Sequence, residues 1–196
     1  VGAKGECATS PDGVTWTHQP NLKAVTETNG TKDHRAIAWD GSQFCAFGDN
    51  GKCSTSPDGV TWTLQPSFAI EFTWVDDYDG SNRIANPYSV VWDGTRFLVV
   101  GAHAKCATSP DGVTWTLQPS LNTAVGSDTT MNSVVWTGAQ FCTVGNSGKC
   151  ATSPDGVTWT CQPSLASAVS DTTMNSMAWD GTQFCAVGTS GKCATS

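Results

Sequence analysis

"CATSPDGVTWT" occupies residues 7–17, returns as "CSTSPDGVTWT" at 53–63, and recurs as "CATSPDGVTWT" at 106–116 and 150–160. Four near-copies of one phrase, in units averaging about 48 residues, mean that the repeat governs the fold and must be read before anything else. A second phrase stands upstream of three copies and recurs near the C-terminus: "AIAWDGSQFCAFG" from Ala36, "SVVWDGTRFLVVG" from Ser89, "SVVWTGAQFCTVG" from Ser133 and "SMAWDGTQFCAVG" from Ser176. Short apolar runs split by Asp-Gly or Thr-Gly predict two strands and a type I′ hairpin. A glycine-bearing turn such as "GDNGK" leads into a third strand, "CATS", and "PDG" turns the chain into a fourth, "VTWTLQ".

No helical period of 3.6 runs for ten residues, and each strand is about five residues long. A four-stranded sheet of that size cannot bury both faces alone, so the copies must stack. The expectation is an all-β fold: a β-propeller of four-stranded antiparallel blades forming one domain over 1–196. Its units are 1–20 with 176–196, 36–66, 89–119 and 133–163. Trp16, Trp62, Trp115 and Trp159 at one repeat position, and Trp39, Trp92, Trp136 and Trp179 at another, are expected to fill the wedges between blades. The count gives 17 strands, one more than four blades of four require. Four blades are favoured, closed by joining N- and C-terminal strands in one blade, with five blades as the alternative.

The Ser-Pro-Asp-Gly-Val-Thr-Trp phrase resembles the Asp-box, or BNR, repeat of sialidase-like propellers, in which such a loop joins the third and fourth strands of a blade; here it is one residue shorter. The resemblance covers nearly the whole chain. It implies a structural role for Asp12, Asp58, Asp111 and Asp155, whose carboxylates, with the box serines, would bond the amides of their own turn. It also raises glycoside hydrolysis. Such enzymes clamp a carboxylate with three arginines and use a Tyr–Glu couple with an acidic proton donor. This chain has three arginines in all, Arg96 lies in a repeated hairpin on the far rim, and the material suffices for about four blades rather than six. The chain is therefore expected not to be an enzyme, with no catalytic residue assigned.

Composition excludes other classes. With 38% hydrophobic residues, 14% charged residues and 20 glycines, the chain should be a soluble, turn-rich body. No apolar run approaches the roughly 18–20 residues of a spanning helix, and no basic-then-apolar segment opens the chain, so neither membrane insertion nor a retained targeting signal is expected. A net charge of −7, with ten Lys and Arg scattered along the chain, argues against nucleic acid.

Three cysteine pairs, Cys45/Cys53, Cys142/Cys150 and Cys185/Cys193, share a C-x7-C spacing. If Phe47 pairs with Gly51 across a three-residue loop, Cys45 opposes Cys53 at a separation suited to a disulfide. That favours an extracellular or virion-associated protein, such as a phage-tail component. Leu98 replaces the first cysteine of the third unit, so the site must also be apolar enough for a buried thiol. Cys7, Cys106 and Cys161 have no assigned partner, and no Cys/His spacing suggests zinc.

A scaffold repeats where a site varies. The joints between units, and the turns between second and third strands, are expected on one rim, opposite the boxes. The joint at 68–88 holds Trp74, the tryptophan outside the repeat, and both tyrosines, Tyr78 and Tyr88, beside Glu71, Asp76, Asp77, Asp79 and Arg83. Aromatics beside carboxylates suit a sugar ring; equally, Phe68, Phe72 and Trp74 could anchor a long loop. At the head of each first strand stand Arg35, Tyr88, Asn132 and Asn175, preceded by His34, Pro87, Met131 and Met174, and His103 joins the same rim. Different polar groups at one ring position could build an asymmetric pocket or simply face water. Asp77, Asp79 and Asn82 form a partial calcium-loop pattern without the full register, so calcium is the one cofactor to consider. The resulting expectation is a carbohydrate-binding lectin or adhesin-like module for a glycan or surface receptor. A structural or protein-interaction propeller and a sialidase-like glycoside hydrolase are the alternatives.

Overall fold

The computed structural model describes residues 1–26, 33–75 and 79–196. Every repeat copy becomes a small antiparallel sheet. Three have four strands in sequence order and are called here by their first residues. The His34 sheet contains His34–Trp39, Phe44–Gly48, Lys52–Ser56 and Thr63–Leu64. The Pro87 sheet contains Pro87–Trp92, Phe97–Gly101, Cys106–Ser109 and Thr116–Leu117. The Met131 sheet contains Met131–Trp136, Phe141–Gly145, Cys150–Ser153 and Thr160–Cys161.

The Met174 sheet has three strands, Met174–Trp179, Phe184–Gly188 and Cys193–Thr195, while Ala8–Thr9 pairs with Thr17–His18 in a separate two-stranded sheet. The insertion adds a hairpin of Thr73–Val75 and Asn82–Ile84. Among the described residues the architecture is a propeller-like array of six small sheets, and the N- and C-terminal strands, expected to share one blade, lie in two different sheets. The C-terminal "CATS" pairs within its own sheet, Ala186 opposite Ala194, and the N-terminal copy pairs with Thr17–His18.

First strands stand side by side on the inner edge. Ser89 Oγ accepts from Val134 N at 3.1 Å, and Ser133 Oγ accepts from Met177 N at 3.2 Å, so a serine of one sheet ties the next. Between sheets the second strands bury Phe47, Phe97, Phe141, Leu98, Val99 and Val100 completely. Each such side chain stabilises by roughly 1.5–3 kcal/mol relative to exposure.

The joints contain four short helices that the sequence reading did not foresee: α1 (Asn21–Thr26), α2 (Ser67–Glu71), α3 (Ser120–Val125) and α4 (Ser164–Val169). Five or six residues are too few for a periodic signal. Yet Phe68/Phe72, Leu121/Val125 and Leu165/Val169 sit at i and i+4, where one face plugs the wedge.

Three other expectations need correcting. The first hairpin is a four-residue loop in which only the glycine, Gly41 at φ 101°, is left-handed. Asp40 Oδ1 takes the Ser42 and Gln43 amides, both at 2.7 Å, so this is not the type I′ turn expected. The second hairpin pairs Gly48 with Lys52 and Phe47 with Cys53, two residues out from the expected register, because Asp49–Gly51 forms a 3₁₀ turn. Cys45 therefore opposes Thr55 and is diagonal to Cys53, with the sulfurs 3.6 Å apart as thiols. The corresponding separations are 3.8 Å for Cys142/Cys150 and 3.7 Å for Cys185/Cys193. Finally, Trp39 stands 44% exposed against Phe44 of its own hairpin, and Trp16 is 62% exposed, so neither fills a wedge.

Candidate functional site

The Ser-Pro-Asp-Gly corners explain the repetition. In each, the aspartate Oδ1 accepts the amides two and three residues ahead, at 2.8 and 2.6 Å for Asp58 to Val60 and Thr61, while the serine hydroxyl takes the glycine amide, 2.8 Å for Ser56 to Gly59. Asp12, Asp111 and Asp155 repeat the pattern. The amides of the threonine and then the valine pull the carboxyls of Asp12, Asp58 and Asp155 down to about 2. These carboxylates are consumed by their own turns.

The corner tryptophan crosses to the preceding sheet. Trp115 of the Pro87 sheet meets Phe47 and Phe68 edge-on, with centroids at 5.3 and 5.1 Å, in the core of the His34 sheet. Trp159 enters the Pro87 sheet's core, and Trp62 enters the N-terminal core with Cys7 and Leu22.

The variable groups gather on the opposite rim, where the joint helices meet the 3₁₀ turns; Asn122 Nδ2, for example, donates to His103 O at 3.1 Å. Arg35 Nε donates to Asp49 Oδ1 at 2.6 Å, and its guanidinium carbon lies 5.2 Å from the Tyr88 ring centroid. The Asp49 bond leads the causes that raise the Arg35 pKa. Asn86 joins neighbouring turns, its Oδ1 accepting from Asn50 N and its backbone O from Ala102 N, both at 2.9 Å. Beyond it, Trp74 stacks on His103 at 3.8 Å and 20°, with Trp74 opposite Arg83 in the insertion hairpin. His103 can present its ring there because it takes a left-handed φ of 56° at the tip of its turn.

Arg35, Tyr88, Trp74 and His103 thus form a connected aromatic and cationic strip with Asp49 and Asn86. The expected site separates elsewhere. Asn132 Nδ2 is committed to Met174 O at 2.9 Å, and Asn175 is exposed. His34 is buried with both ring nitrogens unpartnered. Burial foremost, then the N-terminal ammonium, pushes its pKa down to about 4 against Asp49 and Asp33. Asp49 and Asn86 were missed in the sequence because repeat alignment assigns them to ordinary turns.

Asp77 and Tyr78 lie outside the described residues. Asp79 is occupied by Ser81 N at 2.9 Å, Ser81 Oγ at 2.6 Å and Arg83 Nη2 at 3.1 Å, while Asn82 belongs to the hairpin strand. Among the described residues, no group of three His, Cys, Asp or Glu side chains could hold a metal. The three arginines are each engaged by a carboxylate: Arg35 by Asp49, Arg83 by Asp79 and Arg96 by Asp93. They do not converge on one anion-binding point. Among the described residues, no helix is long and apolar enough to cross a membrane.

No family model and no curated protein matches the chain. Solved structures do resemble it. YCF48 bound to D1 peptide is 14% identical with a TM-score of 0.66 over 100% of this chain and 58% of that one. Sqt1 from Chaetomium thermophilum, bound to the N-terminus of ribosomal protein L10, is 14% identical with a TM-score of 0.60 over 99% and 54%. The β-propeller domain of Cps50 (Swd1) from Myceliophteria thermophila is 11% identical with a TM-score of 0.59 over 99% and 64%. The chain therefore spans little more than half the length of these structures. At such identities the likeness establishes a propeller-like fold.

Proposed function

We propose that this chain is a non-enzymatic interaction propeller that holds an extended protein segment on the rim carrying Arg35, Tyr88, Trp74 and His103. The observation that carries the reading is the strip itself: two π-faced contacts, Arg35 on Tyr88 and Trp74 on His103, with Asn86 bonded to the backbone of both turns that carry Asp49 and His103. An extended peptide offers side chains to the aromatic surfaces and backbone groups to the polar ones. Two of the similar structures hold such segments, by their descriptions a D1 peptide and the N-terminus of L10. A net charge of −7 favours a segment bearing Lys or Arg.

The corner motif supports placing the repeat among Asp-box variants used as scaffold. A glycan reading has less support, since one face of Trp74 is already covered by His103. The extracellular or virion-associated setting remains part of this proposal. There the facing thiols would oxidise, which non-reducing peptide mass spectrometry of natively sourced protein would show.

The deciding experiment screens the purified chain on a random peptide array and a glycan array in parallel. Peptide binding lost in both Trp74→Ala and Arg35→Ala is expected. Binding only on the glycan array, or peptide binding indifferent to both changes, would overturn the reading.

A further inference from the structure

One sheet carries a buried ionisable ring that its counterparts lack. His34 opens the first strand opposite Gly48, a place taken by Pro87 opposite Gly101, Met131 opposite Gly145 and Met174 opposite Gly188. It is 4% exposed, and among the described residues neither ring nitrogen has a hydrogen-bond partner. Its surroundings hold it in place. The His34 amide donates to Gly2 O at 3.0 Å, Asp33 O accepts from Asp49 N at 2.9 Å, and a Cβ on Gly48 would fall 3.4 Å from His34 Cδ2.

Two further departures from the repeat adjoin the ring. Arg35 stands where the other sheets have Tyr88, Asn132 and Asn175, and Asp49 opens a turn that begins elsewhere with Ala102, Asn146 or Thr189. These two residues make the 2.6 Å bond beside which the guanidinium faces Tyr88. The charged groups acting on the ring are Asp49 from that turn, Asp33 from the residue before it and the Val1 amino group from the N-terminal segment, while Arg35 follows in its own strand. Asp33 is already committed, its Oδ1 accepting from Lys4 N at 2.9 Å, so Asp49 is the anion on which a charged ring would draw.

An imidazolium in so dry a place must find an anion. We propose that His34 is a proton switch for the rim strip: neutral, it leaves Asp49 to Arg35; protonated, it takes Asp49 from Arg35, which then leaves Tyr88 and lets a bound segment go. The release rests on the peptide reading above, whereas the switch itself does not. Burial foremost lowers the His34 pKa from 6.5 to about 4, so the assembled strip has its full stability above about pH 6.5 and loses it as pH falls through about 4. With His34 at its ordinary value once the strip loosens, the loosened form gains roughly 30-fold on the assembled one between pH 7.5 and 5. The corner carboxylates of Asp12, Asp58 and Asp155 titrate near 2 and stay charged across that interval.

Solvent exchange of the arginine Nε–H groups, followed by NMR, tests the switch. Arg96 serves as the reference, because its Nε makes the same kind of bond, to Asp93 Oδ2 at 3.0 Å, in a hairpin that has no histidine. Relative to Arg96, protection of the Arg35 Nε–H should fall roughly 30-fold from pH 7.5 to 5 in the wild type, and its signal should follow the His34 ring signals through one titration. His34→Met, copying the residue of the Met131 and Met174 sheets, should keep the protection constant. A ratio that stays constant in the wild type, or falls equally in His34→Met, would overturn the switch. So would a His34 ring that titrates while the Arg35 signal stays still, since Asp49 would then serve both. In parallel, a peptide selected at pH 7.5 should be released at pH 5 by the wild type and kept by His34→Met; one kept by both would overturn the release. If no peptide binds at either pH, the peptide reading fails and the exchange ratio still decides the switch.

Discussion

Trp115 and Trp159 occupy the same place in the same heptapeptide and are equally buried, so exchanging each for alanine isolates the effect of their neighbours. Removing a buried tryptophan costs about 3–5 kcal/mol through lost transfer energy and the cavity left behind. Trp115 adds two edge-to-face pairs, with Phe47 and Phe68, each contributing about 0.5–1.5 kcal/mol beyond burial, and its indole N–H is satisfied by Gly112 O at 3.1 Å. Trp159 has one distant ring partner, Phe141 at 6.5 Å, and its N–H finds no acceptor in bonding geometry, the Cys106 thiol lying beside it. An unpaired buried donor costs about 1–3 kcal/mol, and that cost disappears with the ring. Trp115→Ala should therefore sit near the top of the range and Trp159→Ala near or below its bottom, a gap of about 2 kcal/mol. Urea unfolding followed by circular dichroism measures the two values, and amide exchange shows which sheet opens, since stacked repeats can unfold piecemeal. A Trp159→Ala loss equal to or larger than that of Trp115→Ala would refute the reasoning.

The corner aspartates predict an acid limb. Because Asp12, Asp58 and Asp155 titrate near 2, below their ordinary 3.8, their stabilisation is complete above about pH 4 and is lost as pH falls through about 2. Melting temperatures between pH 5 and 2 should fall steeply for the wild type and less steeply for Asp58→Asn. His34 acts in a higher window. With its folded pKa lowered to about 4, the unfolded chain protonates first, so stability declines from about pH 6.5 downward. His34→Met, copying the residue at that position in the Met131 and Met174 sheets, should flatten this slope; an unchanged slope would show that His34 is not its source. Burial raises the Cys45 and Cys106 thiols, so iodoacetamide at pH 8 should modify Cys161 readily and Cys45, Cys53 and Cys106 only on unfolding, as peptide mass spectrometry would show.

The strands and the corners were legible because their signals are local: apolar runs of five, Asp-Gly turns, and short polar side chains two residues ahead of the amides they bind. All 17 expected strands have a counterpart, although the fourth of each unit is cut to two residues such as Thr63–Leu64, and the pairing of Thr73–Val75 with Asn82–Ile84 is added. What escaped depends on partners far away in sequence. The two halves of the repeat's tryptophans looked alike, yet Trp62 is walled in by the preceding sheet while Trp39 rests against its own hairpin. The cysteine register turned on whether three turn residues would coil as 3₁₀, which no strand pattern specifies. In the candidate site, Trp74, Tyr88, Arg35 and His103 stood out as departures from the repeat. Asp49 and Asn86 gained meaning only once neighbouring turns were seen to touch.

The corners carrying Trp62, Trp115 and Trp159 each belong to one sheet by chain connectivity and to the sheet before it by packing. Damage in this molecule therefore has a direction. A lesion at Trp115 unseats the His34 sheet upstream before it troubles the strands on either side of it in sequence. Fraying should creep toward the N-terminus, and a protease admitted by one broken corner would make its first cut in the repeat that precedes it.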